Sequence, residues 1–108
     1  MFNRRFLLLM LSALFLYSTV NATQVTQTVK GRVVDQKTKA GLIGANVVIN
    51  GTNMGAATDM EGNFRIAKVP VGRHTIKVMY MGYKTRIIPE ILVGSAKEVE
   101  ITVELEED

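Results

Sequence analysis

"TDMEGNFRIAKVPVGRHTI", Thr58 to Ile76, holds two acids, two glycines, a proline and the only histidine of the chain. The fold depends on whether these residues make a metal or catalytic loop, or two turns around a strand. A calcium loop of the EF-hand kind runs D-x-[DN]-x-[DN]-G and closes on an acid at its twelfth position. Counting from Asp59, glycine arrives fourth, at Gly62, and the twelfth residue is Pro70. The metal reading fails at both places. The turn reading uses every special residue. Asp59 at the first position and Gly62 at the fourth suit a type I turn, with the Asp59 carboxylate accepting from backbone N–H groups. Val69-Pro70-Val71-Gly72 suits a second turn, where Pro70 presets φ at the second position and Gly72 again stands fourth. "NFRIAK" between them has the length of a strand.

His74 shares parity with Ile76, Val78 and Tyr80, which puts it on the core side near the start of a strand. As a metal ligand it lacks His or Cys companions. As a general base it lacks a nucleophile. Beyond the first 22 residues the one serine is Ser95, in the separate turn "VGSAK", and nothing sets it beside His74. The sequence therefore predicts no catalytic residue, no metal ligand and no cofactor. Asp59, Gly62, Pro70 and Gly72 are expected to act as structural turn residues.

Period-two alternation continues on both sides of this stretch. "TVKGRVVD", Thr28–Asp35, reads as a first strand, and "LIGANVVIN" turns Ala45, Val47 and Ile49 to one face. "NGTNMG" is a turn region, and "AATD" a brief strand. Phe64 and Ile66 face inward, as do Ile76, Val78 and Tyr80. "KTRIIPEILV" is extended but interrupted at Pro89, which suits an edge or a bend. "KEVEITVEL" alternates without error, with Val99, Ile101, Val103 and Leu105 on one face and Glu98, Glu100, Thr102 and Glu104 on the other. About seven strands result, in one antiparallel two-layer β-sandwich. Only "TQVTQ", Thr23–Gln27, and the acidic tail "ELEED" read as loose ends.

The start of the chain is of another kind. Arg4 and Arg5 precede a short apolar run, Phe6–Tyr17, and Val20 and Ala22 stand at the minus-three and minus-one positions of a small-residue cleavage site. This is the pattern of a secretory signal peptide over residues 1–22, ahead of a single domain over 23–108. The run is too short to span a bilayer, which takes roughly 20 apolar residues. No cysteine follows it, so lipid attachment at this boundary is excluded.

Of the 13 basic residues, Arg4 and Arg5 belong to the leader, which leaves 11 against 10 acids. That near-neutral balance, without aromatic platforms between the bases, argues against nucleic-acid binding. With no cysteine at all, an exported domain of this size must rely on packing alone.

Taken in order, "GRVVD", "GANVVI", "GTNMGAATDMEGNF", "VPVG" and "YMGY" closely resemble the carboxypeptidase-regulatory-like domain family. The resemblance covers nearly all of the chain after the leader. It implies a seven-stranded, transthyretin-like (prealbumin-like) sandwich that is not itself catalytic. It further implies a place in the periplasm or at the outer membrane, as in the N-terminal extension of TonB-dependent receptors of the SusC type, which import glycans. Partners would be an outer-membrane receptor or other envelope proteins. A plug and barrel are not in this stretch, so the expectation is a stand-alone module or the front piece of a receptor. A carbohydrate- or surface-binding module is the alternative. It needs exposed aromatics, and Tyr83 is the one not wanted inside. A hydrolase of purine breakdown, 5-hydroxyisourate hydrolase, uses the same sandwich, but that family needs several histidines where this chain has one.

Overall fold

The computed structural model describes residues 24–108. The leader, its cleavage site and the domain boundary at Thr23 lie outside the described residues. Seven strands follow in order: β1 (Thr26–Asp35), β2 (Asn46–Ile49), β3 (Gly55–Ala57), β4 (Asn63–Pro70), β5 (Gly72–Met79), β6 (Arg86–Val93) and β7 (Val99–Leu105). They form two sheets, a three-stranded one in the order β4-β1-β7 and a four-stranded one in the order β3-β2-β5-β6. The all-β sandwich stands as the alternation predicts. One pairing departs from the antiparallel expectation, because β1 and β7 run parallel from Val29↔Val99 to Asp35↔Leu105. Two strands far apart in sequence are free of the hairpin geometry that forces neighbouring strands to run opposite ways.

The core lies between the sheets. Val29 and Val33 of β1, Phe64, Ile66 and Val69 of β4, and Val103 and Leu105 of β7 meet Val47, Ile49, Ile76, Val78 and Val93 from the other sheet. Two strands change parity on the way. On β4, Ala67 and Lys68 together oppose Thr28, between the pairs Gln27↔Val69 and Val29↔Ile66. On β6, Pro89 and Glu90 together oppose Thr75, between His74↔Ile91 and Ile76↔Ile88. Each is a β-bulge, and each inserts one residue that shifts the inward set from even to odd numbers. Ile66 is therefore followed inward by Val69, and Ile88 by Ile91. Lys68 and Glu90 take φ of 60° to make these bulges. The proline expected at an edge does sit in one, since β6 ends its sheet.

Both supposed loose ends are tied. Thr26 and Gln27 already belong to β1 and pair with Pro70 and Val69. In the acidic tail, the Glu106 carbonyl accepts from Lys84 N–H at 2.9 Å, and Asp108 N–H donates to the Gly82 carbonyl at 2.9 Å. Neither tie shows in the side-chain pattern, because both use backbone groups.

One buried polar side chain joins β3 to the segment entering β2. Thr58 Oγ1 donates to the Leu42 carbonyl and accepts from Ala45 N–H at 2.8 Å, while its backbone bonds Gly44 and Ala45. Replacing Thr58 with Val keeps the shape but leaves the buried Ala45 N–H and Leu42 carbonyl short of a partner. A destabilisation of about 1–3 kcal/mol is expected from chemical denaturation. Thr58→Ser should recover most of it, and an unchanged midpoint for Thr58→Val would contradict the role given to the hydroxyl.

Candidate functional site

Asp59 closes the turn before β4. Its Oδ1 accepts from Glu61 N–H at 3.0 Å and Asn63 N–H at 2.8 Å, and Gly62 N–H donates to the Asp59 carbonyl at 3.0 Å. Gly62 has φ of 86°, and a Cβ there would lie 2.5 Å from the Val33 carbonyl. The position thus combines a backbone conformation suited to glycine with a close approach to β1. The Glu61 carbonyl accepts from Arg32 Nε at 2.8 Å.

Pro70 and Gly72 flank a corner of a different kind. Val71 separates β4 of one sheet from β5 of the other, and its N–H donates to the Val25 carbonyl at 3.1 Å. Gly72 has φ of 141° with open space around it. The chain here changes sheets, and Val25, just ahead of β1, supplies the carbonyl that holds the corner.

His74 is half-buried, and its Nε2 donates to the Pro70 carbonyl at 2.6 Å. The imidazole thus braces the same corner from within. Ser95 contributes only its carbonyl, which accepts from Gln27 Nε2 at 3.2 Å. Among the described residues, no group of three or more His, Cys, Asp or Glu side chains is arranged to hold a metal ion. Nor is any helix among them long and apolar enough to cross a membrane.

The strongest polar constellation is one that sequence reasoning passed over. Asp35, at the end of β1, is buried, and its Oδ1 accepts from Lys37 and Thr38 N–H, both at 2.8 Å. Its Oδ2 accepts from the Tyr83 hydroxyl at 2.8 Å. Donation from Thr38 N–H, then from Tyr83, holds the Asp35 carboxyl at about 2, well below its ordinary range. The same carboxylate pushes the Tyr83 phenol up to about 12. Tyr83 is half-buried, with its ring against Tyr80 at a centroid distance of 5.3 Å. It is therefore a structural tie between the end of β1 and the segment before β6, where the sequence reading left it as the one aromatic free to face a ligand. The sequence signal was an Asp at the end of a strand followed by polar residues, the setting of an Asx-turn. Its tyrosine partner, 48 residues away, had no local sign.

The two-sheet module so defined has a known kind. The chain matches the CarboxypepD_reg-like domain over residues 29–108 and belongs to that family. It is 36% identical over 88 residues to the TonB-dependent receptor SusC of Bacteroides thetaiotaomicron, a stretch that takes in 82% of this chain and 8% of the receptor. It is 30% identical over 102 residues to the TonB-dependent receptor P39 of Formosa agariphila, covering 94% of this chain and 9% of that one. Both relatives are therefore many times longer than this chain. Among solved structures, a chain of a type II cohesin–X-dockerin complex from Acetivibrio cellulolyticus is similar with a TM-score of 0.63 and 32% identity, over 75% of this chain and 58% of that one.

Two measurements check this geometry. Gly62→Val should lower stability by about 1 kcal/mol or more, through positive φ and the clash with β1, read as a shifted denaturation midpoint. For Asp35 the folded-state pKa is depressed, so its contribution is present above the ordinary value of 3.8 and lost as pH falls towards about 2. Tyr83 has the opposite sign: its contribution is present below 10 and lost as pH rises towards about 12. Asp35→Asn should lack part of the acid-side loss, and Tyr83→Phe should lack the alkaline one. Wild-type pH profiles in both variants would refute the pairing.

Proposed function

We propose that this chain is an exported, non-catalytic interaction module of the cell envelope that serves TonB-dependent outer-membrane receptors. The observation that carries the reading is the identity to two such receptors over most of this chain. The polar chemistry supports it. His74 braces a corner, Asp59 closes a turn, and Asp35 and Tyr83 satisfy each other. Each of these groups makes a hydrogen bond that holds a turn, a corner or the end of a strand. Carbohydrate binding through stacked aromatics is disfavoured by the same geometry, since Phe64 is buried and Tyr80 and Tyr83 pack on one another.

Expression of the tagged full chain in a bacterium that carries such receptors tests the reading. The protein should fractionate with the envelope and co-purify, after crosslinking, with a TonB-dependent receptor. Retention in the cytosol would overturn it. So would a hydrolytic activity abolished by His74→Ala in a protein that still folds.

A further inference from the structure

The sandwich has four edge strands: β4 and β7 in one sheet, β3 and β6 in the other. An edge presents unpaired N–H and C=O groups, and proteins blunt it by shortness, proline, bulges or charge. Three of the four edges are blunted by shortness, proline or a bulge. β3 is only three residues long. β6 carries Pro89 and its bulge, and β4 carries the bulge at Ala67 and Lys68. β7 carries charge, on Glu100 and Glu104, but none of the other devices. Its seven residues contain no proline, glycine or bulge, and its register with β1 is unbroken.

The backbone groups on its free side can be assigned. The Leu105 carbonyl accepts from Gln36 N–H at 2.9 Å, and the Ile101 carbonyl lies against Gly31 of β1. The odd-numbered residues therefore turn their backbone groups to β1. By the period of two, Glu100, Thr102 and Glu104 turn theirs outward. Further along, the chain closes its own edge. The Glu104 carbonyl accepts from Arg86 Nη1 at 3.4 Å and the Glu106 carbonyl from Lys84 N–H at 2.9 Å. Glu100 and Thr102 are left exposed, on a stretch whose only strand partner is β1.

The side chains say what would fit there. Glu98 is held below the usual carboxylate range by Lys30 and also pairs with Arg65, while Glu104 pairs with Lys39. Among the described residues Glu100 has no ion pair. Six of the chain's 10 acids fall in Glu98–Asp108, a segment without a base. A second copy meeting this edge around a two-fold axis would set glutamates against glutamates, which is unfavourable. On the other face, Val99 and Ile101 are only half-buried at the rim of the core.

We infer that the free edge of β7 at Glu100 and Thr102 takes an extended basic segment of a partner protein as an added strand. The segment alternates Lys or Arg, lying over Glu100 on the outer face, with β-branched residues that cover Val99 and Ile101 on the inner one. Backbone hydrogen bonds supply affinity, and the alternation supplies selectivity. The inference rests on the interaction-module reading and names the surface that carries it.

The test uses the full chain and a short peptide alternating lysine and valine, with a glutamate–valine peptide as control. The basic peptide should bind, more weakly as salt rises. Hydrogen exchange should slow at the Glu100 and Thr102 amides, with β4 and β6 unaffected. Thr102→Pro removes an outward N–H without touching the ladder to β1. It should weaken binding by about tenfold or more, the loss of roughly one hydrogen bond. Glu100→Lys should do the same and shift preference towards the glutamate peptide, which keeps the test decisive should Thr102→Pro misfold. The inference is overturned if neither variant weakens binding, if protection appears on another edge, or if β7 becomes protected by self-association without peptide. Should both variants still co-purify with the receptor at the wild-type level, the β7 assignment falls while the module reading stands. Failure of the wild-type chain to co-purify with a receptor defeats that broader reading instead.

Discussion

Burial between two sheets is the interaction that everything else in this domain serves, and parity is its constraint. A strand residue faces the core or the solvent according to whether its number is odd or even, and a slip of one reverses every side chain. Without a cystine, the domain has no covalent link to compensate for a wrong face. Its two bulges are where parity is reset, and both lie on edge strands, where an unpaired residue disturbs one neighbour rather than two. The changes of direction are handled in the same economical way. Gly62 lets the turn before β4 approach β1, and the corner after Pro70 is held by a backbone bond from Val71 and by the His74 ring.

Much of this was legible because period two is a strong local signal. Val47, Ile49, Phe64, Ile66, Ile76, Val78, Val103 and Leu105 are buried where alternation puts them. The bulges were present in the sequence too, as the three-residue steps from Ile66 to Val69 and from Ile88 to Ile91. A reading that expects strict alternation passes over them. What could not be read were the long-range relations. The parallel course of β1 and β7 depends on which strands meet, and side-chain alternation is the same for either direction. The backbone ties of the acidic tail leave no trace in residue type.

The same division holds for the polar groups. Asp59 with Gly62 is a local pattern within one turn, and residue types alone suggest it. Asp35 with Tyr83 is non-local, and only the closed sandwich brings them together. A buried carboxylate must be hydrogen-bonded to be tolerated, and here two amides and a phenol do so. These groups are used up in holding the end of the sandwich.

The parallel pairing of β1 with β7 has a mechanical consequence. Tension applied through residues before β1 and after β7 pulls the two strands along their own length in opposite directions. Seven residue pairs, Val29↔Val99 to Asp35↔Leu105, then bear the load side by side. Their hydrogen bonds must rupture together rather than peel one after another from a hairpin tip. The domain is consequently built to resist stretching between its ends far better than a sheet whose terminal strands could unzip.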